Sequence, residues 1–426
     1  LKISIPDIRF LSYSAFATFG TYFCMYAFRK PFSVATFENL VFMGVDYKIL
    51  LIISQILGYM LSKFIGIKLI SELKMNSRLP NLIGMIVLAE LCLVAFGAIP
   101  APYNIVFMFV NGLSLGMIWG IVFSYLEGRK FTEVLGVTLC SSFIVSSGAV
   151  KSVGLLVLNE LSISEVWMPA VTGAFFLAPF STFALLLERI PKPSLQDIAL
   201  RSERNPMTKS DRRKLLRSFL FPLVILVFFY TCLTALRDFR DNFSREIWDA
   251  IGYVGDASIY TVSEIPIAIF VLLLLGAMGF IKKNKKAFLY YHYLLILGVL
   301  SIGLTTFLFQ MQLVSPAVWM VLTGFGLYIC YVPFNGMFFD RMIAVFKIKG
   351  NVDFLIYIAD AFGYLGSMAV LLYKNFGQDE LSWLRFFING TYILAALGLL
   401  VCIASLFYFK SRYRVEIPPE HQINIV

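Results

Sequence analysis

The chain has 426 residues, of which 59% are hydrophobic and 15% charged, with 36 Lys and Arg against 26 Asp and Glu. Soluble domains average about 25% charged residues, so an ordinary water-soluble enzyme is excluded. Two histidines, His292 and His421, are too few for a histidine-based metal or catalytic centre, and the six cysteines stand singly in apolar runs without zinc, redox or disulfide spacing. No cofactor, no metal and no enzymatic activity are expected.

A helix needs roughly 20 mostly apolar residues to cross about 30 Å of hydrocarbon. Twelve such stretches follow one another: 10–28, 49–70, 80–98, 104–127, 133–158 and 166–187, then 218–237, 258–281, 287–309, 315–339, 352–373 and 383–409. The run 287–339 has no charged residue and is too long for one crossing, so QMQLVSPA inside it is read as a turn, as is AIPAPYN at 98–104. The expected fold is therefore an all-α membrane protein of 12 transmembrane helices in two six-helix bundles. The N-terminal bundle covers 1–187, a basic cytoplasmic linker 188–217, and the C-terminal bundle with a short tail 218–426.

Cytoplasmic loops keep an excess of Lys and Arg. The termini and the loops on their side hold 26 of them, the opposite side holds 8, and Lys63 and Lys151 lie inside spans. Both termini are accordingly expected in the cytoplasm. The net charge of +10 then reports topology, with some affinity for anionic lipid, and not nucleic-acid binding. An integral protein of a bacterial inner membrane, acting as a monomer, is the expectation. Arg29 and Arg237 each fall 19 residues after the start of a span, 208 apart, which supports an internal repeat of six helices. Parallel repeats of this size are an established transporter plan.

Ionisable residues inside spans cost several kcal/mol unless paired or wet, so each is a functional candidate. They are Arg29, Lys63, Glu90, Lys151, Arg237, Glu264 and Asp360. A guanidinium presents a planar fork that suits two oxygens of a phosphate or carboxylate, and it stays charged when buried. Arg29 and Arg237 together would make an anion site; equally, both lie near helix ends, where they can snorkel to the interface. Lys63 and Asp360 share a depth, as do Lys151 and Glu264, so cross-half pairs that open and close are expected as a gate, the alternative being that each lines a wet cavity. Arg240 and Arg245, beside Asp238, Asp241 and Glu246, read as a solvated loop. Glu90 has no evident partner and reads as protonated or cavity-facing. Tyr22 and Tyr26 share a helix face and, with Tyr59, offer hydroxyls to an anion, although interface belts are the commoner use of such rings.

Several motifs resemble those of one known group. YAFRKPF at 26–32, GYMLSKFIG at 58–66, NGLSLGMIWG at 111–120, LTALRDF at 233–239 and AFGYLGS at 361–367 are similar to motifs of helices one, two, four, seven and eleven in the organophosphate:phosphate antiporters of the major facilitator superfamily, which include the glycerol-3-phosphate and hexose-phosphate transporters. The resemblance implies the major facilitator fold, a phosphate held by Arg29 and Arg237, and a cavity bordered by Tyr22, Tyr26, Tyr59, Lys63 and Tyr364. There are departures. The fifth span lacks the family's histidine and carries Lys151; Asp360 and Glu264 stand where neutral residues are usual; and the signature after helix two is degenerate in GIKLISELKMNSR. These allow a proton-linked carrier in which Asp360 or Glu264 accepts the proton.

The leading expectation is a secondary transporter that exchanges a phosphate ester for phosphate. The alternatives are a proton-coupled symporter of a carboxylate, sugar acid or cell-wall fragment, and an accessory or sensor protein that keeps the fold without flux.

Overall fold

With no water in the bilayer core, each backbone polar group must find its partner inside the chain, and a helix does this within one segment. The computed structural model describes residues 5–38, 40–71, 75–126, 132–191, 209–335, 337–346, 352–377 and 380–415. The middle of the expected linker, 192–208, lies outside them, as do Arg129, Lys130 and the tail with His421. The described residues form α1 (Ile5–Met25), α2 (Tyr47–Ser71), α3 (Arg78–Ala98), α4 (Ile105–Leu115), α5 (Ile118–Ser124), α6 (Thr132–Asn159) and α7 (Met168–Glu188). There follow α8 (Lys209–Asn242), α9 (Ser244–Ala250), α10 (Ser258–Gly279), α11 (Asn284–Gln310), α12 (Pro316–Tyr331), α13 (Met337–Phe346), α14 (Val352–Gly377) and α15 (Trp383–Val415). A two-residue hairpin, β1 (Val41–Phe42) with β2 (Val45–Asp46), precedes α2.

Eleven described helices are long and apolar enough to cross a membrane, with α4 and α5 acting as one crossing, Ile105–Ser124. α1, expected as the first span, is not among the eleven: Ser12, Ser14, Thr18 and Thr21 interrupt its apolar residues. The protein is an all-α, multi-pass integral membrane protein. The expected turns at 98–104 and 310–317 separate α3 from α4 and α11 from α12.

By proximity of residues the chain forms two compact units. The first comprises Leu1–Glu203, Asp238–Gly279 and Ser367–Phe387; the second comprises Arg204–Arg237, Phe280–Gly366 and Ile388–Val426. The first unit thus contains helices α1–α7 together with the last turn of α8, all of α9 and α10, the end of α14 and the start of α15. Its closest helix crossing joins α2 to α4: a Cβ on Gly112 would lie 2.1 Å from the carbonyl oxygen of Gln55, and one on Gly58 would lie 2.0 Å from that of Phe109. Only glycine lets these backbones touch. Gly148 does the same for α6 against α10, where a Cβ would meet the Tyr260 oxygen at 2.2 Å. Gly84 on α3, by contrast, has open space around it.

In the second unit α11 packs along α12, with Gly326 facing the Gly298 backbone. His292 is fully buried there; its Nε2 lies 3.0 Å from Ser405 Oγ and its Nδ1 2.9 Å from the Phe288 oxygen, so it serves the core.

One expectation is overturned here. The segment after Arg237 is not a solvated loop: α8 runs on to Asn242 and α9 begins at Ser244. Arg240 is 4% exposed, and Arg245 donates to the Val34 oxygen at 2.7 Å. A run of charges looks solvated in sequence; here the opposite charges on other helices take the place of water.

Candidate functional site

α1 ends at Met25, and the chain continues through a 3₁₀ turn, Tyr26–Phe28, to Arg29 and Lys30, after which Pro31 opens a second 3₁₀ turn, Pro31–Val34. Two buried amides hold this turn. Gln55 Nε2 donates to the Arg29 oxygen at 3.1 Å and to Asn111 Oδ1 at 2.9 Å, while Asn111 Nδ2 donates to the oxygens of Phe28 at 3.0 Å and Ala89 at 3.2 Å. The Gly58–Gly112 crossing is what brings Gln55 and Asn111 within reach of each other. Sequence reasoning missed both amides; the available signal was a carboxamide in the middle of an apolar span, which is as costly to leave unbonded as other buried polar groups.

The Arg29 guanidinium is half-buried and lies over the Tyr59 ring, 4.0 Å from its centroid, and 5.8 Å from that of Tyr26. Lys63 Nζ shares Tyr59 at 5.6 Å. Tyr22 meets Tyr26 edge-on at 5.7 Å, and Tyr22, Tyr26 and Tyr59 are all buried. Thus Arg29, Lys63 and the three tyrosines come together in the first unit as one cationic, aromatic cluster. A desolvated cation over a ring gains about 2 kcal/mol, which eases the burial of Arg29.

The second unit contains a counterpart. The Arg237 guanidinium lies 3.9 Å from the centroid of Tyr331. Tyr331 stacks on Tyr230 at 5.4 Å, and the Tyr230 hydroxyl donates to Asp360 Oδ1 at 2.7 Å. Asp360 is 5% exposed. Tyr364, one turn along α14, is also buried. An arginine and a buried acid are therefore joined through two tyrosine rings.

Lys151 and Glu264, expected to pair with each other, have other partners. Lys151 on α6 binds Asp241 at the end of α8, and Lys30 binds the same carboxylate. The Ser147 hydroxyl donates to Asp241 as well, and Lys30 Nζ donates to Asn242 Oδ1 at 2.9 Å. Glu264 accepts from Arg240 Nη1 at 2.8 Å, and Lys48 at the start of α2 binds Glu246 of α9. A shared membrane depth selects no partner; the chosen acid, Asp241, sits on the extension of α8 that the sequence reading left in a loop. Lys30, Lys48, Asp241 and Glu246 are the residues missed. Asp360 contacts Tyr230, as above. Among the described residues no group of three or more metal-ligating side chains occurs.

The fold is the one typical of the major facilitator superfamily. Among solved structures the chain is similar to the nucleoside transporter NupG (14% identity, TM-score 0.61, 94% of this chain and 99% of that one) and to a D-xylose-proton symporter (14%, 0.61, 93% and 96%). It is also similar to a bacterial homologue of the human drug peptide transporters PepT1 and PepT2 (12%, 0.63, 95% and 99%). At these identities the likeness carries the fold alone. Residues 31–412 match the model described as "Family of unknown function (DUF5690)", and the chain belongs to that family. No curated protein matches it.

Proposed function

We propose that the protein is a proton-coupled symporter of a small organic acid, with Arg29 and Arg237 contacting the anion during the transport cycle and Asp360 taking the proton. The observation that carries this reading is the chain Arg237–Tyr331–Tyr230–Asp360, which sets a solute-binding cation and a buried acid on one relay of rings and hydroxyl. An anion neutralising Arg237 changes the field at Asp360, so solute binding and proton binding favour each other. Tyr22, Tyr26, Tyr59, Lys63 and Tyr364 complete the solute contacts. The buried pairs Lys30–Asp241–Lys151 and Lys48–Glu246 act as a latch between N-terminal segments and the end of α8 and α9, with Arg240–Glu264 tying α8 to α10, and its opening is one step of alternating access. That one neighbouring structure is a proton symporter supports the same reading.

The test is uptake by proteoliposomes of radiolabelled glucuronate, N-acetylmuramate and glycerol-3-phosphate, with an imposed inward proton gradient and no internal solute. Accumulation of a carboxylate that vanishes with a protonophore is expected. Asp360→Asn should abolish it while preserving solute counterflow, which needs no net proton movement. A second reading has support in the chemistry of the guanidinium, whose planar fork suits two oxygens of a phosphate: exchange of a phosphate ester for phosphate. Uptake of glycerol-3-phosphate that requires internal phosphate and ignores the proton gradient would select it.

A further inference from the structure

Glu90 belongs to neither the aromatic cluster nor the latch. It lies in the middle of α3, is 8% exposed, and its Oε2 is buried without a hydrogen-bond partner. The carboxyl fills the space left by the missing side chain of Gly173 on α7: a Cβ there would lie 2.1 Å from Glu90 Oε2 and 3.2 Å from the Phe28 ring. Phe28 in turn meets Phe180 of α7 edge-on at 6.3 Å, so rings cover the pocket.

Among the described residues, the elements that pack most against α3 bring few ionisable groups towards this carboxyl. α4 and α5 have no ionisable side chain, α7 has Glu188 at its end, and the turn Tyr26–Phe28 offers Tyr26, with Arg29 next in the chain. Met75–Ser77 has none, and α3 itself adds Arg78, three turns away at its start. The Arg29 guanidinium is directed onto Tyr59. With Oε2 buried and unbonded, an ionised carboxylate would leave charge on an uncompensated oxygen, and the inexpensive form is the neutral acid.

We propose that Glu90 is a proton-binding site: a neutral carboxylic acid held between α3 and α7 at Gly173, which releases its proton only when the turn carrying Phe28 and Arg29 moves and admits water. The same turn positions Arg29, so occupancy of this site by a proton is tied to the geometry of the solute-binding arginine. The inference concerns the first unit alone and stands whichever residue couples transport to the proton gradient.

The infrared carbonyl stretch of protonated carboxylic acids separates this acid from the ionised ones. At neutral pH the difference between the full chain and Glu90→Gln should show the loss of one carboxylic-acid band, with no loss of carboxylate bands and an unchanged melting temperature, because the amide is nearly isosteric with the neutral acid. Loss of carboxylate intensity instead, with the acid band intact, overturns the proposal. Should Glu90→Gln not fold, Glu90→Asp keeps the acid in a slightly larger space: a carboxylic-acid band displaced from that of the parent supports the proposal, and an undisplaced set of acid bands overturns it.

Discussion

Arg29 and Lys30 are consecutive, and Arg237 and Arg240 are one helical turn apart, yet within each pair the two cations have opposite surroundings. Arg29 and Arg237 lie over tyrosine rings, at 4.0 Å from Tyr59 and 3.9 Å from Tyr331. Lys30 and Arg240 are nearly inaccessible and bound to carboxylates, Asp241 and Glu264. A ring attracts a cation through its π face, which is polarisable and non-directional, whereas a carboxylate fixes the cation's N–H donors in a directed bond. The first arrangement suits a group that must exchange partners with a solute, and the second suits a group that holds helices together.

The contrast is broken most severely at Asp241. Asp241→Ala strips two buried ammonium groups of one shared carboxylate, and breaking a buried pair costs about 3–5 kcal/mol. A large fall in melting temperature of the detergent-purified protein is expected, whereas a melt equal to the parent would place Lys30 and Lys151 in water. Next comes the support beneath Arg29. Gly112→Ala drives a methyl into the Gln55 backbone and should cost about 1–3 kcal/mol of stability as overpacking. Because Gln55 and Asn111 hold Arg29, the same variant should weaken solute binding; retained affinity would separate the helix crossing from the arginine. The smallest effect is expected at Tyr230→Phe, which removes one hydrogen bond to Asp360 and should lower stability by about 1 kcal/mol. Its decisive readout is proton-driven uptake, which should fall further than solute counterflow; equal losses would detach Tyr230 from coupling.

The spans were legible because lipid demands long apolar helices, and the turns at 98–104 and 310–317 fell where proline and polar residues interrupt them. Arg29 and Arg237 were legible because a permanent charge in such a run is conspicuous. Their surroundings were not. The partners of the latch lie far apart in the chain, 90 residues for Lys151 and Asp241 and 212 for Lys30 and Asn242. Depth alone therefore matched Lys151 with the wrong acid. The segment 238–246 was misread for a related reason: five charges in nine residues look like a loop until the helices that neutralise them are known. Gln55 and Asn111 escaped because attention went to ionised groups, although a buried carboxamide is bound by the same accounting of donors and acceptors.

The central proposal is that Arg29 and Arg237 each contact the solute through their N–H groups, and counterflow of a radiolabelled organic acid or phosphate ester through proteoliposomes bearing Arg29→Lys or Arg237→Lys tests it most directly. Lysine keeps the charge and loses the fork; a charge-assisted hydrogen bond is worth about 1.5–3 kcal/mol, so each variant should need about 10- to 100-fold more solute for half-maximal counterflow. Counterflow at parental solute concentrations by both variants would contradict the account.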